Sequence, residues 1–320
     1  MEFNNSKKIL VIGRAGMDIY PEPPGTKISE VKNFSTHLGG SAANTCVALC
    51  QLGVQSDLLT CVSEDAIGEY IFEKLREFNV GSNLCRRVEN KFQTQVAVVE
   101  TILKNNQSIL YRNNSCDLQL NKNDIDNINF QDYSAVFISG TALSSNPSRD
   151  AVFYATQKAS SLSIPLIIDM DYRPYNWESD EIKSNIYKKI MSEMDIIIGN
   201  DLEFNIADNS TKGFQLAKSF INEKPSIIIY KMGEKGSTVI TKEKEQNFGI
   251  FKVEAIKPTG AGDAFNGGFI SSILQGYSLE DSIKRGSANA AIVVTKVGCS
   301  SAMPNTDELE NFINQQTMEI

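Results

Sequence analysis

The stretch Lys257-Pro258-Thr259-Gly260-Ala261-Gly262-Asp263-Ala264-Phe265 joins a strand-like pattern to a helix-like one that continues to Leu274. Its small residues are therefore predicted to lie at a helix N-terminus. Unpaired backbone N–H groups and the positive end of the helix dipole favour an anion such as a phosphate at that position. Gly260, Ala261 and Gly262 form a candidate anion hole, and Asp263 is a candidate base for an attacking hydroxyl.

Spacing alone leaves another interpretation open, in which the glycines only make a turn and Asp263 only complements the helix dipole. Other nucleotide-binding motifs can be tested directly. The P-loop pattern Gly-x-x-x-x-Gly-Lys-Ser/Thr occurs nowhere in the sequence, which excludes that class. Phe265 stands where a dinucleotide-binding fingerprint needs glycine, and this disfavours a nicotinamide-dependent oxidoreductase without excluding it.

Outward from this stretch, short apolar runs alternate with helix-period segments, and this alternation predicts an α/β core with a mostly parallel sheet. Helices are expected to dominate from Gly262 to Val297, and the 66–78 segment has one apolar face. The predicted strands are Lys8 to Gly13, Asp57 to Val62, Ala135 to Ser139, Pro165 to Asp169, Asp195 to Gly199 and Ser226 to Lys231, followed by further strands as far as Val253.

Two segments, about 18–36 and 92–114, interrupt this alternation of strands and helices. The first carries Pro21, Pro23 and Pro24, and the second has two alternating runs joined by Lys104-Asn105-Asn106-Gln107. They are expected to form either a small β-sheet outside the core, as a lid would, or an edge extension of the main sheet.

The chain has 320 residues, of which 41% are hydrophobic and 22% charged, as in ordinary globular proteins. Lys and Arg total 31 against 39 Asp and Glu, a net charge of −8, so nucleic-acid and anionic-membrane binding are not expected. The six cysteines are expected to be reduced, and with no signal-peptide pattern the location is expected to be cytoplasmic. The single histidine, His37, has no partner pattern of a Ser-His-Asp triad or a zinc site.

A second glycine cluster, Leu38-Gly39-Gly40-Ser41-Ala42-Ala43-Asn44, also opens a helix-like segment. Glycines permit close backbone approach, and the amide of Asn44 is both a donor and an acceptor. On its own the cluster fits a helix-packing turn equally well.

The sequence resembles the PfkB/ribokinase family of carbohydrate kinases over essentially the whole chain. The resemblance rests on the two glycine-opened helices and, between them, on Asn200-x-x-Glu203 and the turn from Gly233 to Gly236. The resemblance implies one kinase domain over residues 1–320. Its fold would be a ribokinase-like three-layer α/β core with a mostly parallel sheet and a small β lid. The expected activity is ATP-dependent phosphorylation of a sugar hydroxyl, with Mg²⁺ as a cofactor and a homodimer as one open possibility.

The resemblance also implies roles for single residues. Asp263 would be the catalytic base, and Gly260, Ala261 and Gly262 would be the anion hole. Glu203 would hold Mg²⁺ through water, which agrees with magnesium's need for few carboxylates beside phosphates. The implied ATP-binding residues are Asn200, Gly233, Gly236, Gly260, Gly262 and Asn289. The implied substrate-binding residues are Asp18, Gly39, Gly40, Asn44, Arg112, Arg173 and Asp263.

One departure concerns monovalent cations. Many relatives carry Asp-Thr shortly before the glycines, whereas this chain has Lys257-Pro258, which places a positive charge where a cation is often held. Potassium is therefore only a possible cofactor.

Arginine forks point to the substrate class. Arg112 and Arg173 suit a carboxylate, which a neutral hexose lacks, so an acidic keto sugar is expected unless these arginines only form ordinary ion pairs. The segments Arg14 to Pro21 and Asp171 to Trp177 and the pair Lys257-Pro258 resemble those of family members that act on keto-deoxy acids. This resemblance implies 5-dehydro-2-deoxygluconate, an acid of inositol catabolism, as the acceptor, with 2-dehydro-3-deoxygluconate as the nearest competitor. Fructose and ribose are less favoured acceptors, and a catalytically idle sugar-nucleotide sensor is a rival of another class.

Overall fold

The computed structural model describes residue 4 and residues 7–89, 91–103 and 107–319. By their internal contacts these residues divide into two units. The first unit contains the described residues up to Ile12 and Leu118–Ile250, and the second contains Gly13–Asp117 and Phe251–Glu319.

The first unit is an α/β unit with a mostly parallel sheet. Its strands are β1 (Lys8–Ile12), β8 (Tyr133–Ser139), β9 (Leu166–Asp169), β10 (Ile196–Asn200), β11 (Ile227–Lys231), β12 (Ser237–Ile240) and β13 (Glu245–Phe248), where numbers follow the whole chain. Its α-helices are α3 (Lys122–Asp126), α4 (Ser148–Ser161), α5 (Asp180–Met191), α6 (Asp201–Asp208) and α7 (Gly213–Phe220).

These strands run in the order β13-β12-β11-β10-β9-β8-β1. The pairs from β1 to β11 are parallel, whereas β11–β12 and β12–β13 are antiparallel. Strands β8 and β9 are buried at every position, as expected for central strands with both faces covered. The carboxyl ends of β9 and β10 therefore lie side by side, with Ile198 opposite Asp169.

The second unit contains the remaining strands and helices. Its strands are β2 (Gly16–Glu22), β3 (Asn33–Gly39), β4 (Ser56–Ser63), β5 (Cys85–Val88), β6 (Gln95–Val99) and β7 (Ser108–Tyr111). Its α-helices are α1 (Ser41–Gln51), α2 (Ala66–Glu77), α8 (Ala261–Leu274), α9 (Leu279–Val294) and α10 (Thr306–Gln315). Strands β4 and β5 pair in parallel.

A separate four-stranded sheet has the order β3-β2-β6-β7. Its outer pairs are antiparallel and its central pair, β2–β6, is parallel. The predicted small sheet is thereby confirmed, although it begins at Gly16 and extends to Gly39 beyond the expected bounds. Lys104, Asn105 and Asn106 of the predicted connection lie outside the described residues. A lid function for this sheet stays a prediction.

The α/β prediction is confirmed, and each predicted parallel strand matches an observed one to within two residues. All six cysteines are free, as expected. Across the described parts of the chain, every helix is too short or too polar to cross a bilayer.

The segment before the glycine stretch is the exception. A strand is predicted to reach Val253, but β13 ends at Phe248 and residues 251–258 are irregular. Their apolar side chains serve a helical core instead, since Phe251 is buried with Leu52 and Leu309. The backbone N–H of Ile256 donates to the carbonyl of Val294 at 2.9 Å, so this segment bonds to a helix end rather than a strand.

Candidate active site

The glycine stretch forms the predicted helix N-terminus. Gly260 precedes α8 with φ of +87°, a left-handed conformation that favours glycine. A Cβ atom there would also lie 2.7 Å from the sulfur of Cys299. The first N–H groups of a helix have no partner within the helix, so Gly262 presents a backbone donor at this end, while the N–H of Ala261 makes a long bond of 3.5 Å to the Pro258 carbonyl. Asp263 is the third residue of α8.

Asn44 joins the second glycine cluster to this helix end. Helix α1 begins directly after Gly40, whose φ is +90° and whose Cβ would lie 2.6 Å from the Arg14 carbonyl oxygen. Asn44 is buried in the first turn of α1, and its Nδ2 donates to Oδ2 of Asp263 at 2.8 Å. Two motifs that are 219 positions apart in sequence therefore share one hydrogen bond.

Asp18 lies on β2, beside Gly39 of the paired strand β3. A Cβ at Gly39 would collide with the Asp18 carboxylate, so the glycine makes room for this side chain. Burial raises the pKa of Asp18 to about 6, and the charge of Arg14 opposes this shift. The hydroxyl of Tyr20 donates to Asp18 Oδ2 at 3.4 Å. The charge of Lys257 acts on the pKa of Asp18 in the same direction as that of Arg14, and the charges of Asp18 and Asp263 act in turn on Lys257. Asp18, Asn44, Lys257 and Asp263 are together called the acceptor cluster below.

Gln95 was missed by the sequence reasoning. It lies opposite Gly16 in the β2–β6 register and is buried, and a Cβ at Gly16 would collide with its side chain. Its Oε1 accepts a hydrogen bond from Nη1 of Arg14 at 2.8 Å. The only signal in the sequence was the alternation of β6, which places Gln95 on the same buried face as Ala97 and Val99.

Arg112 and Asn289 are both buried within the second unit. The Arg112 guanidinium is paired with the carboxylate of Asp117, so it makes the ion pair that sequence reasoning left open. Asn289 on α9 donates from Nδ2 to the carbonyl of Ala264 on α8 at 2.6 Å. This bond ties the two helices together close to the anion hole. Binding of substrate by Arg112 and of ATP by Asn289 stays a prediction.

In the first unit, Asn200 and Glu203 form a reciprocal cap at the start of α6. The Asn200 side chain accepts from the N–H of Glu203 at 2.9 Å, and Glu203 Oε2 accepts from the N–H of Asn200 at 2.7 Å. The other Glu203 oxygen accepts from the backbone N–H of Tyr172 at 3.1 Å. The cap fixes the carboxylate at the end of β10.

Three buried acids, Asp169, Asp171 and Glu203, lie at or just after the carboxyl ends of β9 and β10. Burial and then the Asp169 charge raise the pKa of Glu203 to about 7, whereas Lys231 acts in the opposite direction. Lys231 Nζ lies 3.5 Å from Asp169 Oδ1. These four residues are called the carboxylate cluster.

The carboxylate cluster suits a hydrated cation rather than a cage of protein ligands. No group of three or more His, Cys, Asp or Glu side chains among the described residues has the geometry to hold a metal ion by itself. Magnesium usually keeps several waters and takes one or two carboxylates beside phosphates. Glu203, whose pKa is raised next to a second carboxylate, fits that requirement because a nearby cation would stabilise its charged form.

Arg173 and the predicted glycine turn also lie in the first unit. Arg173 Nη2 is 2.9 Å from Asp171 Oδ1, and the side chain is 40% exposed. The turn after β11 has positive φ at both Gly233 (+59°) and Gly236 (+78°), and a Cβ at Gly236 would collide with the carbonyl of Phe248. The backbone conformation therefore explains both glycines, while their contact with ATP stays a prediction.

Comparison with known proteins gives a family and several close relatives. The family described as pfkB family carbohydrate kinase matches residues 6–306. A 5-dehydro-2-deoxygluconokinase of Photobacterium profundum is 36% identical, over 97% of this chain and 96% of the relative. A 5-dehydro-2-deoxygluconokinase of Clostridium perfringens strain 13 is 34% identical, over all of this chain and 97% of the relative.

Solved structures agree on the fold. A Vibrio cholerae O395 fructokinase double mutant, crystallised with fructose, ADP and a potassium ion, superposes with a TM-score of 0.85 at 22% identity, over 98% of this chain and 100% of that one. A putative ribokinase II of E. coli in complex with ATP and Mg²⁺ gives a TM-score of 0.86 at 21% identity, over 97% of this chain and 99% of that one. The ribokinase-like fold is thereby confirmed.

Proposed function

Because this chain belongs to the pfkB family of carbohydrate kinases, we propose that it transfers the γ-phosphoryl group of ATP to the terminal hydroxyl of 5-dehydro-2-deoxy-D-gluconate. The observation that carries the chemistry is Asp263, held by Asn44 at 2.8 Å beside the N-terminus of α8. The names of relatives that are 36% and 34% identical over nearly the whole chain support the choice of substrate.

In this mechanism Asp263 removes the proton of the terminal hydroxyl as its oxygen attacks the γ-phosphorus. An oxygen–phosphorus bond forms there, the bond from phosphorus to the β,γ-bridging oxygen breaks, and ADP leaves with the electron pair. Backbone N–H groups of Gly260, Ala261 and Gly262 would stabilise the negative charge of the transferred group. The Asn44 amide holds one oxygen of the Asp263 carboxylate and so restrains the orientation of the proposed base.

Asp18, Gly39 and Gly40 supply the sugar side of the site in this proposal. The buried carboxylate of Asp18 accepts hydrogen bonds from substrate hydroxyls, and the glycines let the substrate approach the backbone. Arg112 and Arg173 are each a candidate for recognising the acid group, because a guanidinium fork matches a carboxylate. Each arginine is already paired with an aspartate, so the substrate acid would share or replace that pairing.

The nucleotide side is proposed to involve Asn200, Gly233, Gly236 and Asn289. Glu203 would hold Mg²⁺ through water, and when bound the ion would neutralise charge on the phosphates. A Glu203 carboxyl whose pKa is about 7 needs such a cation to be fully ionised at neutral pH. A bound cation would offset the repulsion between Glu203 and the neighbouring acids.

The small sheet is proposed to act as a lid. Asp18 is on β2, and Gln95, which binds Arg14, is on β6, so two strands of this sheet carry buried polar side chains of the sugar site. Movement of the sheet would therefore move substrate ligands directly. Closure would exclude water and suppress hydrolysis of ATP.

A coupled assay of ADP release tests the proposal. The purified protein would be given Mg-ATP with 5-dehydro-2-deoxygluconate, 2-dehydro-3-deoxygluconate, fructose, ribose or a nucleoside. We expect the highest kcat/KM with the first acid and little release of ADP without an acceptor. A higher value with the second acid would change the substrate but keep the chemistry, and turnover of neutral sugars alone would contradict the role of the arginines.

A further inference from the structure

Lys257 is one of the largest fully buried side chains of the second unit, with no exposed surface. Burial of an ammonium group is costly unless hydrogen bonds and opposite charges compensate for the lost water. Its Nζ donates to the backbone carbonyl of Thr259 at 2.7 Å and to that of Val293 at 3.2 Å. A charge placed in this way needs an explanation beyond packing.

The two carbonyls belong to the parts that shape the anion hole. Thr259 directly precedes Gly260, the N-cap residue of α8, and Val293 lies in the last turn of α9. Carbonyls in the last turn of a helix have no partner within the helix and carry the negative end of its dipole. The ammonium therefore connects the anion-hole turn to the C-terminus of α9.

The surrounding charges also favour a cation at this point. Burial lowers the pKa of Lys257, while Cys299, Asp18 and Asp263 act in the opposite direction. Lys257 in turn opposes the rise in the pKa of Asp18 and of Cys299. Burial and then Lys74 lower the pKa of His37, and Lys257 adds to that effect. Asp18 and Asp263 thus share one buried positive charge.

Backbone carbonyls of this kind are also typical ligands of potassium, for which they replace the hydration shell. The V. cholerae fructokinase structure contains a potassium ion, which raises the question of whether such an ion fits here. It does not fit beside the turn, because the ammonium of Lys257 already lies 2.7 Å from the Thr259 carbonyl oxygen and 3.2 Å from that of Val293, where the ion would have to be. A second cation at the same oxygens would also be repelled by the ammonium.

We propose that the ammonium of Lys257 is a permanently attached monovalent cation that positions the anion-hole turn, so that turnover requires no free potassium. Lys257 acts through the backbone of residues 259–260 and is a positioning residue. This inference rests on the proposed function only in that the anion hole is used for phosphoryl transfer.

The first test compares wild-type turnover in buffers that contain potassium, sodium or only a bulky organic cation. We expect the same kcat in all three. Activation by potassium of about tenfold or more, the size of a clear coupling effect, would overturn the proposal.

A matched pair of variants tests the position itself. In Lys257→Ala the ammonium is replaced by space, and we expect kcat to fall about 10²-fold, as for a misplaced catalytic group, and to recover partly with potassium or ammonium ions. Lys257→Met fills the same space without charge, so the loss should remain in every salt. Equal recovery of both variants, or no response of Lys257→Ala to any cation, would contradict the proposal.

A binding readout separates this inference from the proposed function. Without substrate, potassium should raise the Tm of Lys257→Ala but not that of wild type or of Lys257→Met. Lys183→Met is the control, because it removes a different buried lysine, which is paired with Asp180, and its Tm should also be unaffected. If no acceptor is phosphorylated, the proposed function fails while this measurement still decides the cation question. If Lys257→Ala folds only when potassium or ammonium is present, that result supports the proposal. If Lys257→Ala does not fold in any of the salts, the effect of potassium on the kcat of wild type decides.

Discussion

The acceptor cluster contains one buried and one half-buried acid and the carboxylate cluster contains three buried acids, but the two clusters balance the negative charge in different ways. In the acceptor cluster, Lys257 is fully buried and supplies a positive charge near Asp18 and Asp263. In the carboxylate cluster, Lys231 contacts Asp169, yet the pKa of Glu203 is still raised to about 7. The first region therefore carries its own cation, whereas in the second a nearby cation would stabilise the charged form of Glu203.

The largest expected effect is at Asp263. Asp263→Asn removes the proposed base but keeps the size of the side chain and its place in α8. We expect kcat to fall by about 10³-fold, within the usual range for general-base catalysis, with little change in Tm. A stopped or coupled assay of ADP release with saturating acceptor measures this directly.

Asp281 provides the matched control, because it is the third residue of α9 as Asp263 is of α8. If acids at this position only complement the helix dipole, Asp263→Asn and Asp281→Asn should have similar small effects on stability and none on turnover. Turnover of Asp263→Asn at the wild-type rate would therefore restore the simpler interpretation of the glycine stretch.

The next largest effect is expected at Asp18. Asp18→Asn should lower kcat/KM by about 10- to 100-fold, mainly through KM, since a hydrogen bond to a charged group is worth about 1.5–3 kcal/mol. In wild type, KM should rise as the pH falls through about 6, where Asp18 takes up a proton. The variant should lose that pH dependence, and an unchanged profile would show that another group causes it.

Asn44→Ala tests how the Asp263 carboxylate is oriented. Loss of the 2.8 Å bond should lower kcat about tenfold, a smaller loss than removal of the base itself. Asn205→Ala is a suitable control, because its side chain also bonds on a helix, accepting from the N–H of Gly213 at 2.8 Å. That control should reduce stability but not kcat, and equal kcat losses would indicate a general structural effect.

The fold was largely predictable because buried parallel strands leave apolar runs in the sequence. The runs for β8, β9 and β10 were found to within two residues, and the glycine stretch was correctly placed at the start of a helix. The predicted strand end at Val253 was wrong because Phe251 and Val253 are apolar for a helical core, not for a sheet. Local pattern cannot distinguish these two causes of burial.

The site was predictable in its motifs but not in its pairings. The bond between Asn44 and Asp263 spans 219 positions, and that between Arg14 and Gln95 spans 81, so neither could be read from local spacing. Lys257 was recognised as an unusual charge. Its two carbonyl partners depend on how α8 and α9 pack, which the sequence pattern does not show.

The smallest expected effect concerns Glu203, in the pH dependence of stability without Mg²⁺. Between the unfolded pKa of about 4.5 and the folded pKa of about 7, the folded state keeps a proton that the unfolded state has lost. The free energy of unfolding should therefore fall as the pH rises through this window. Denaturant unfolding at about pH 5 and about pH 8 should show this fall in wild type and a smaller one in Glu203→Gln. Mg²⁺ with ATP should reverse part of this fall in wild type but not in Glu203→Gln. If the unfolding free energies of wild type and Glu203→Gln change in parallel with pH, a group other than Glu203 causes the fall.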